Sequence, residues 1–445
     1  MSGTIRRAVA ALFCVDDEIL LVRRQDHARA FPGYWACPGG KVEPTEALAP
    51  PRASYCGLDM ELIGALAREL REELGFDLHR SDVSVFELGV ATTPPGVGRR
   101  FATTFFRINL ARKPNFTLDL REHSHMRWAS AEVFWKEYLA GELLCVSAQQ
   151  QLLRALAAQP SATDILELGV RPGQEYGLNL SEPIYGLRIL PLRSHTLPPA
   201  THTNAFLLGE PGEDLQLIDP SPCDAEEYAK LKSFLTAWGR PQRLVLTHHH
   251  PDHHQQAPQL AREWDLPLAM SLDTQERIAR RWGDDYLAGI CVHTLCEGDT
   301  LCSSRGRAVK VVAVPGHDAG QLAFLPDDHR WMITGDLYQG VGTVVIAQPE
   351  GHMATYFHTL EKVLKLGPAV TVPSHGMALP GTRQIRLTLE HRQKREAHIR
   401  ALSEQGLDVE AILQQEYAAV PKALWPLARC NIESHLQKIR EEQMS

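Results

Sequence analysis

Thr247-His248-His249-His250-Pro251-Asp252-His253-His254 places five imidazoles and one carboxylate within eight residues. Both are ligand types that zinc and similar divalent ions accept. His248 and His250, two apart, can point the same way from an extended turn, and Asp252 and His253 can then face a second ion. The preceding Arg243-Leu244-Val245-Leu246 reads as a short buried strand, so the cluster falls at a strand's C-terminal edge, where open α/β sheets gather their ligands. A solvated His-rich loop is the bland alternative, and the residues downstream weigh against it.

Those residues are Pro315-Gly316-His317, Ile333-Thr334-Gly335-Asp336 and Pro373-Ser374-His375-Gly376, with Leu217-Ile218-Asp219-Pro220 upstream. Together with His248-x-His250-x-Asp252-His253 they resemble, in order, the motifs of the metallo-β-lactamase fold. Any one motif alone would be a weak signal; the ordered set is a strong one. The resemblance implies that His248, His250 and His317 hold one zinc ion, that Asp252, His253 and His375 hold a second, and that Asp336 bridges them. Each later ligand follows a β-like apolar run, namely Val311–Val314, Trp331–Thr334 and Ala369–Val372. Two such ions lower the pKa of a water toward neutrality and polarise a carbonyl or phosphoryl oxygen. Asp252 would orient that water as well as ligate. His249 and His254 match no ligand position and read as supporting or surface imidazoles.

A second constellation lies near the N-terminus. Glu69, Glu72 and Glu73 are three and four apart, so their carboxylates share one helix face, and hard cations such as Mg2+ or Mn2+ would relieve their repulsion. Taken with Gly40-Lys41-Val42-Glu43-Pro44-Thr45-Glu46, the run Arg68-Glu69-Leu70-Arg71-Glu72-Glu73-Leu74-Gly75-Phe76 resembles the Nudix box of diphosphate hydrolases. The resemblance implies that Arg68 orients the carboxylates, and Gly75 ends the helix. The box departs from the pattern in one respect: twenty-one residues separate Glu46 from Arg68 where seven are usual. The surplus, with Pro50-Pro51 and Gly57, reads as an excursion between loop and helix. Some coenzyme A diphosphatases of that family carry an insertion here. Arg7–Val15 and Glu18–Arg24, joined by Asp16-Asp17, read as a hairpin, and Phe101–Ile108 and Met126–Trp128 as further strands. Glu122 sits where some relatives place a catalytic base, and also where a surface carboxylate is ordinary.

The 445 residues, 44% hydrophobic and 22% charged, suit two or three globular domains. A net charge of -8 offers no general attraction to nucleic acid or anionic membrane. No apolar run is long enough to span a bilayer. Nine cysteines without framework spacing read as free thiols, and the expected location is cytoplasmic. The expected architecture is α/β and α+β multidomain. A Nudix α/β/α sandwich with an inserted box spans 1–158, a linker 159–184, and an αββα sandwich of the metallo-β-lactamase fold 185–386. In that sandwich Leu187–Leu190, stopped by Pro191, and Thr203–Leu208 are the first strands.

The tail, 387–445, reads as helices from His391 to about Ser403, from Val409 to Tyr417 and from Leu424 to Glu441, with Pro421 and Pro426 as stops. It resembles the winged-helix tail of the branch that includes a mitochondrial β-lactamase-like endoribonuclease. Eight Lys or Arg against nine Asp or Glu make it near neutral, whereas a nucleic-acid footprint is basic. Arg392, Lys394, Arg395 and Arg400 read as a phosphate grip or, more simply, as a solvated face. Asp336 and His375 stand thirty-nine apart, which leaves no room for the cap domain of nucleic-acid-processing relatives. A small ester or thioester, as in the glyoxalase II-like branch, fits better. The expectation is therefore a bifunctional metal-dependent hydrolase acting on small molecules. Its Nudix half would cleave a nucleoside diphosphate derivative, possibly of coenzyme A type, beside a dinuclear-zinc ester or thioester hydrolase. The alternative is a single-stranded RNA endonuclease whose Nudix half senses a ligand.

Overall fold

The computed structural model describes residues 4–94, 100–169 and 172–444. Residues 1–3 and 95–99 of the expected N-terminal domain, 170 and 171 of the expected linker, and 445 of the tail lie outside the described residues. The chain divides into two compact units, Met1–Arg188 and Ile189–Ser445.

In the first unit, strands Arg6–Val15 and Glu18–Arg24 form the expected hairpin, with Cys14 opposite Ile19 and Val15 opposite Glu18. Arg6–Val15 also pairs in parallel with Phe101–Asn109, which pairs antiparallel with Ser84–Thr92. Trp35–Ala36 and His123–Ser130 both pair with Glu18–Arg24. Successive side chains of a strand face opposite ways. Val9, Ala11 and Phe13 therefore pack with Leu62, Ile63, Leu66, Leu70 and Leu74 of helix Met60–Leu74. Ala10, Leu12 and Cys14 pack on the other side with Phe134 and with Leu152, Leu153 and Leu156. Those last residues belong to helices Ala131–Leu139 and Ser147–Ala158, so the α/β/α sandwich is present.

The insertion leaves the box as an irregular stretch with one 3-10 turn, Ala53–Tyr55. It packs down rather than looping free. Tyr55 is buried with its hydroxyl on the Leu78 carbonyl at 3.2 Å, and Asp59 caps helix Met60–Leu74 through Glu61 N and Leu62 N. The segment read as a linker is likewise anchored. Ile165 N donates to Leu88 O at 2.7 Å, and Arg107 donates to the carbonyls of Pro160 and Ala162.

The second unit holds two sheets. One runs Val292–Thr294, Leu268–Met270, Arg243–Val245, Gln216–Ile218, His202–Leu208 and Leu187–Arg193. The other runs Thr300–Ser304, Arg307–Ala313, Leu322–Pro326, Met332–Ile333, Val370–Val372 and Leu379–Pro380. The sheets are stitched together where the candidate ligands emerge: Leu322 N donates to Thr247 O at 2.9 Å and Asn204 N to Ser374 O at 2.8 Å. Helix Met353–Leu366 covers Val312, Val314, Ala323 and Leu325 of the second sheet. Pro191 does not stop its strand, which continues to Arg193, because proline's fixed φ suits extended backbone and removes only one donor.

The tail is three helices, Arg383–Glu404, Val409–Glu416 and Trp425–Met444, with no strand among its described residues from 383 onward. The first helix begins eight residues before His391, and the boundary read at 386/387 falls inside it. Its Ile385 and Leu389 share the core of the second sheet, which is why the helix starts so early. Pro426 lies in the first turn of Trp425–Met444, where its missing N–H costs nothing, so it starts this helix rather than stopping one. Arg392 is neither a phosphate grip nor a solvated cation: it is buried, donating to Asn431 Oδ1 at 2.9 Å and to Val344 O. Arg395 pairs with Glu416 and Arg400 with Glu442, while Lys394 is exposed. Among the described residues no helix is long and apolar enough to cross a membrane. All nine cysteines are free thiols.

Glu396 closes the tail by accepting from Lys438 Nζ at 2.6 Å and from His435 Nδ1 at 3.1 Å. Burial would raise its carboxyl, but those two partners hold it below the usual carboxylate range. A carboxyl depressed by folding contributes stability above its unfolded pKa and loses it as pH falls through the folded value. Glu396→Gln is expected to lower stability at pH 7 by about 1–3 kcal/mol in urea unfolding. It should also flatten the loss of stability that the wild type shows below about pH 4.5.

Candidate metal centres

Strand Arg243–Val245 ends two residues before the imidazole cluster, and His250 lies just ahead of the one-turn helix Pro251–His254. That turn brings Asp252 and His253 back toward His248. His248 Nε2 and His317 Nε2 lie 2.9 and 3.0 Å from His250 Nδ1, so three ring nitrogens converge on one point. Asp252 Oδ2 lies 3.7 Å from His253 Nε2 and 3.4 Å from His375 Nε2, marking a second point. Asp336 stands between them, its Oδ2 at 3.9 Å from both His253 Nε2 and His317 Nε2 and its Oδ1 at 3.4 Å from His375 Nε2. All seven residues expected to ligate are thus brought together.

The outer atoms of this cluster are occupied while several inner ones are not. Thr247 Oγ1 gives its proton to Asp219 Oδ2 at 2.6 Å, so it can only accept from His248 Nδ1 at 3.0 Å. His253 Nδ1 donates to Asp219 Oδ2 at 2.8 Å, His317 Nδ1 to Val345 O at 2.8 Å and His375 Nδ1 to His202 O at 2.9 Å. His250 Nε2 meets Glu350 Oε2 at 3.2 Å. The inner His253 Nε2, His375 Nε2 and Asp336 Oδ1 are buried with no hydrogen-bond partner, since their mutual approaches have ion-pair distances without hydrogen-bond alignment. Unpaired buried polar atoms are costly, and three of them facing one space fit divalent cations.

Electrostatics separate the two points. Burial, then the neighbouring imidazoles, push His248 well below its usual value and His317 to about 4, so both are neutral at pH 7. Burial also opposes charge on His253 and His375, but Asp252 and Asp219 outweigh it at His253 and lift it to about 9, and Asp336 and Asp252 outweigh it at His375 and lift it to about 11. Burial works against the carboxylates as well, and the same imidazoles hold Asp252 and Asp336 far below the usual range. A cation at the second point therefore replaces protons.

Three residues around this cluster take roles that the sequence did not assign. Asp219, named there only as part of the upstream motif, is 1% exposed, at φ 50, a left-handed conformation that Asp tolerates, and takes Thr247 N at 2.8 Å besides the two contacts above. Asp318 follows His317 directly and pairs with His249 Nδ1, while Glu350 meets His249 Nε2 at 3.1 Å. His249 is buried; burial disfavours its charge, yet Asp318 and Glu350 raise it to about 9. His254 is buried too, between the His249 carbonyl and the Tyr286 hydroxyl, so neither imidazole lies on the surface.

In the first unit, helix Met60–Leu74 presents the carboxylates and Gly75, at φ 64, closes it by donating to Arg71 O and Leu70 O. Arg68 spreads its guanidinium over Glu46 Oε2 at 3.0 Å, Glu69 Oε1 at 3.0 Å, Glu72 Oε2 at 3.2 Å and Lys41 O at 2.9 Å. Gly40 is needed for close approach: a Cβ there would lie 2.3 Å from Glu69 Oε1. Burial pushes the Glu69 carboxyl up to about 7 against the pull of Arg68, with Glu73 and Glu72 adding repulsion. Glu73 is buried and accepts from Gly39 N at 2.8 Å. Glu122 is exposed, yet Glu73, Glu122 and the unanticipated His123 each bring a ligand atom within 4.8 Å of the others.

Comparison with known proteins gives two domain matches: "NUDIX domain" over residues 4–143 and "Metallo-beta-lactamase superfamily" over 198–375. Beta-lactamase-like protein 2 homolog of Drosophila melanogaster is 26% identical over 54% of this chain and 82% of its own length. Hydroxyacylglutathione hydrolase of Fuscovulum blasticum is 30% identical over 44% of this chain and 70% of its own. Atrochrysone carboxyl ACP thioesterase of Aspergillus fumigatus is 28% identical over 44% and 58%. Among solved structures, a beta-lactamase domain protein from Burkholderia ambifaria shares the fold with a TM-score of 0.52 and 20% identity, covering 60% of this chain and 88% of that one.

Asp219→Ala strips an acceptor from Thr247 N, Thr247 Oγ1 and His253 Nδ1 together, and is expected to weaken divalent-cation affinity of the second unit about 10–100-fold by competition with a chelator. Arg68→Lys cannot span three carboxylates and a carbonyl with one ammonium. Isothermal titration of Mn2+ into the first unit's site of the intact chain should show affinity reduced about tenfold.

Proposed function

The chain belongs to the metallo-beta-lactamase superfamily and carries a NUDIX domain, and from that premise we propose a bifunctional hydrolase with two cation-dependent sites. The second unit opens a small ester or thioester at a dinuclear zinc site, and the first cleaves a nucleoside diphosphate derivative with Mg2+ or Mn2+. The observation that carries the reading is the convergence of His248, His250 and His317 on one point and Asp252, His253 and His375 on another, with Asp336 between. Bound cations would acidify water and polarise the substrate's carbonyl or phosphoryl oxygen.

The chain's own residues do the rest. In the second unit Asp252, kept ionised by His253 and His375, directs the attacking water through its carboxylate. Between Asp336 and His375 the chain forms helix Met353–Leu366 and strand Val370–Val372, a packing helix rather than a cap, which leaves the ligand-bearing ends to a small substrate. The thioesterase and hydroxyacylglutathione hydrolase relatives support an acyl substrate. The inward-turned Arg392, and Arg395 and Arg400 in their acidic partners, leave little charge for RNA. In the first unit Arg68 aligns Glu69 and Glu72, and Glu69, with its carboxyl near neutrality, can exchange a proton with water at physiological pH. A coenzyme A ester would offer both linkages in one molecule, the pyrophosphate to the first unit and the thioester to the second.

The test is a hydrolysis screen of acyl thioesters, nucleoside diphosphate derivatives and short RNA, run on wild type, Asp252→Ala and Glu73→Gln after metal analysis. Asp252→Ala is expected to cut only thioester hydrolysis and Glu73→Gln only diphosphate cleavage, each by roughly 10²–10⁴-fold. RNA cleavage abolished by Asp252→Ala, with thioesters untouched by wild type, would reject the acyl substrate.

A further inference from the structure

Outside the histidine-rich cluster, a buried imidazole stands against the carboxylates of the first unit without a hydrogen bond. His123 is 2% exposed, and neither of its ring nitrogens has a hydrogen-bond partner. Its Nε2 nevertheless lies 3.1 Å from Glu73 Oε1. A buried imidazole that approaches a carboxylate at this distance without hydrogen-bond alignment repeats the pattern of His375 and Asp336 in the second unit, 3.4 Å apart and likewise unbonded. There the two groups belong to a ligand set.

The placement of His123 is held from several sides. Glu73 gives its other oxygen, Oε2, to Gly39 N at 2.8 Å, which leaves Oε1 turned to the imidazole. Asp119 N donates to Glu73 O at 2.8 Å and His123 N to Asp119 O at 3.0 Å, so the turn that carries His123 is tied to the end of the carboxylate helix. Gln25 grips the same turn, its N on Glu122 O at 2.9 Å and its Nε2 on His123 O at 3.2 Å. The Glu122 carboxylate completes a group of three possible ligand atoms.

We infer that His123, with Glu73 and Glu122, makes the NUDIX cation site a mixed nitrogen and oxygen site that selects a first-row transition-metal ion over Mg2+. The inference rests on the reading of the first unit as a cation-dependent hydrolase and adds the identity of the cation. Carboxylates alone suit Mg2+, which prefers oxygen and gives up water reluctantly, whereas imidazole favours the transition metals.

The probe is Mn2+ added to the full chain after two equivalents of EPR-silent zinc have filled the histidine-rich centre of the second unit, with no zinc left over for the first. Electron spin echo modulation from imidazole nitrogen is expected on the bound Mn2+ of wild type. His123→Asp, which substitutes an oxygen ligand, should keep Mn2+ bound, abolish the nitrogen modulation and reduce the Mn2+ over Mg2+ preference about tenfold. If the substitution disturbs folding, the wild-type spectrum still decides. Bound Mn2+ that shows no nitrogen and is lost in Glu73→Gln overturns the role of His123 while leaving the hydrolase reading standing. No Mn2+ bound beyond the zinc-filled centre overturns both.

Discussion

The carboxylate of Asp219, buried at the end of strand Gln216–Ile218, accepts from Thr247 N, Thr247 Oγ1 and His253 Nδ1. A carboxylate so deeply buried must be fully satisfied, and here the donors that satisfy it are the ones that set the site. Because Thr247 spends its only hydroxyl proton on Asp219, it can only accept from His248. One buried charge thereby orients an imidazole at each of the two candidate cation points and aims both Nε2 atoms inward. His317 and His375 are fixed in the same sense by backbone carbonyls, and His250 by Glu350.

The two candidate cation sites are assembled by different means. In the second unit, imidazoles and carboxylates come from the ends of several strands, so their convergence depends on how two sheets meet. In the first, a single helix supplies Glu69, Glu72 and Glu73, and Arg68 on the same helix bridges two of them through one nitrogen. The inserted segment does not disturb this: it leaves Glu46 under Arg68 and returns through Asp59, the cap that starts the helix. Gly40 then admits Glu69 into a space that any side chain would fill.

The tail shows how far charge counted along a sequence can stand from charge on a surface. Arg392, Arg395 and Arg400 are spent internally, on Asn431, the Val344 carbonyl, Glu416 and Glu442, and Lys438 and His435 close on Glu396. These contacts bind the tail to the same core as the second sheet, through Ile385 and Leu389.

Much of this was legible in the sequence alone. The apolar run Arg7–Val15, cut off by Asp16-Asp17, marked one arm of a hairpin, and the ordered motifs that resemble the metallo-β-lactamase fold named His248, His250, Asp252, His253, His317, Asp336 and His375, which the structure brings together because each follows a strand end. Helix spacing likewise placed Glu69, Glu72 and Glu73 together. Tertiary structure alone decided the roles of Asp219, Asp318, Glu350 and His123, the inward turn of Arg392 and the early start of helix Arg383–Glu404. Each of these depends on a partner tens of residues away or more. Local periodicity records which face of an element is apolar, but not which distant group will meet its polar atoms.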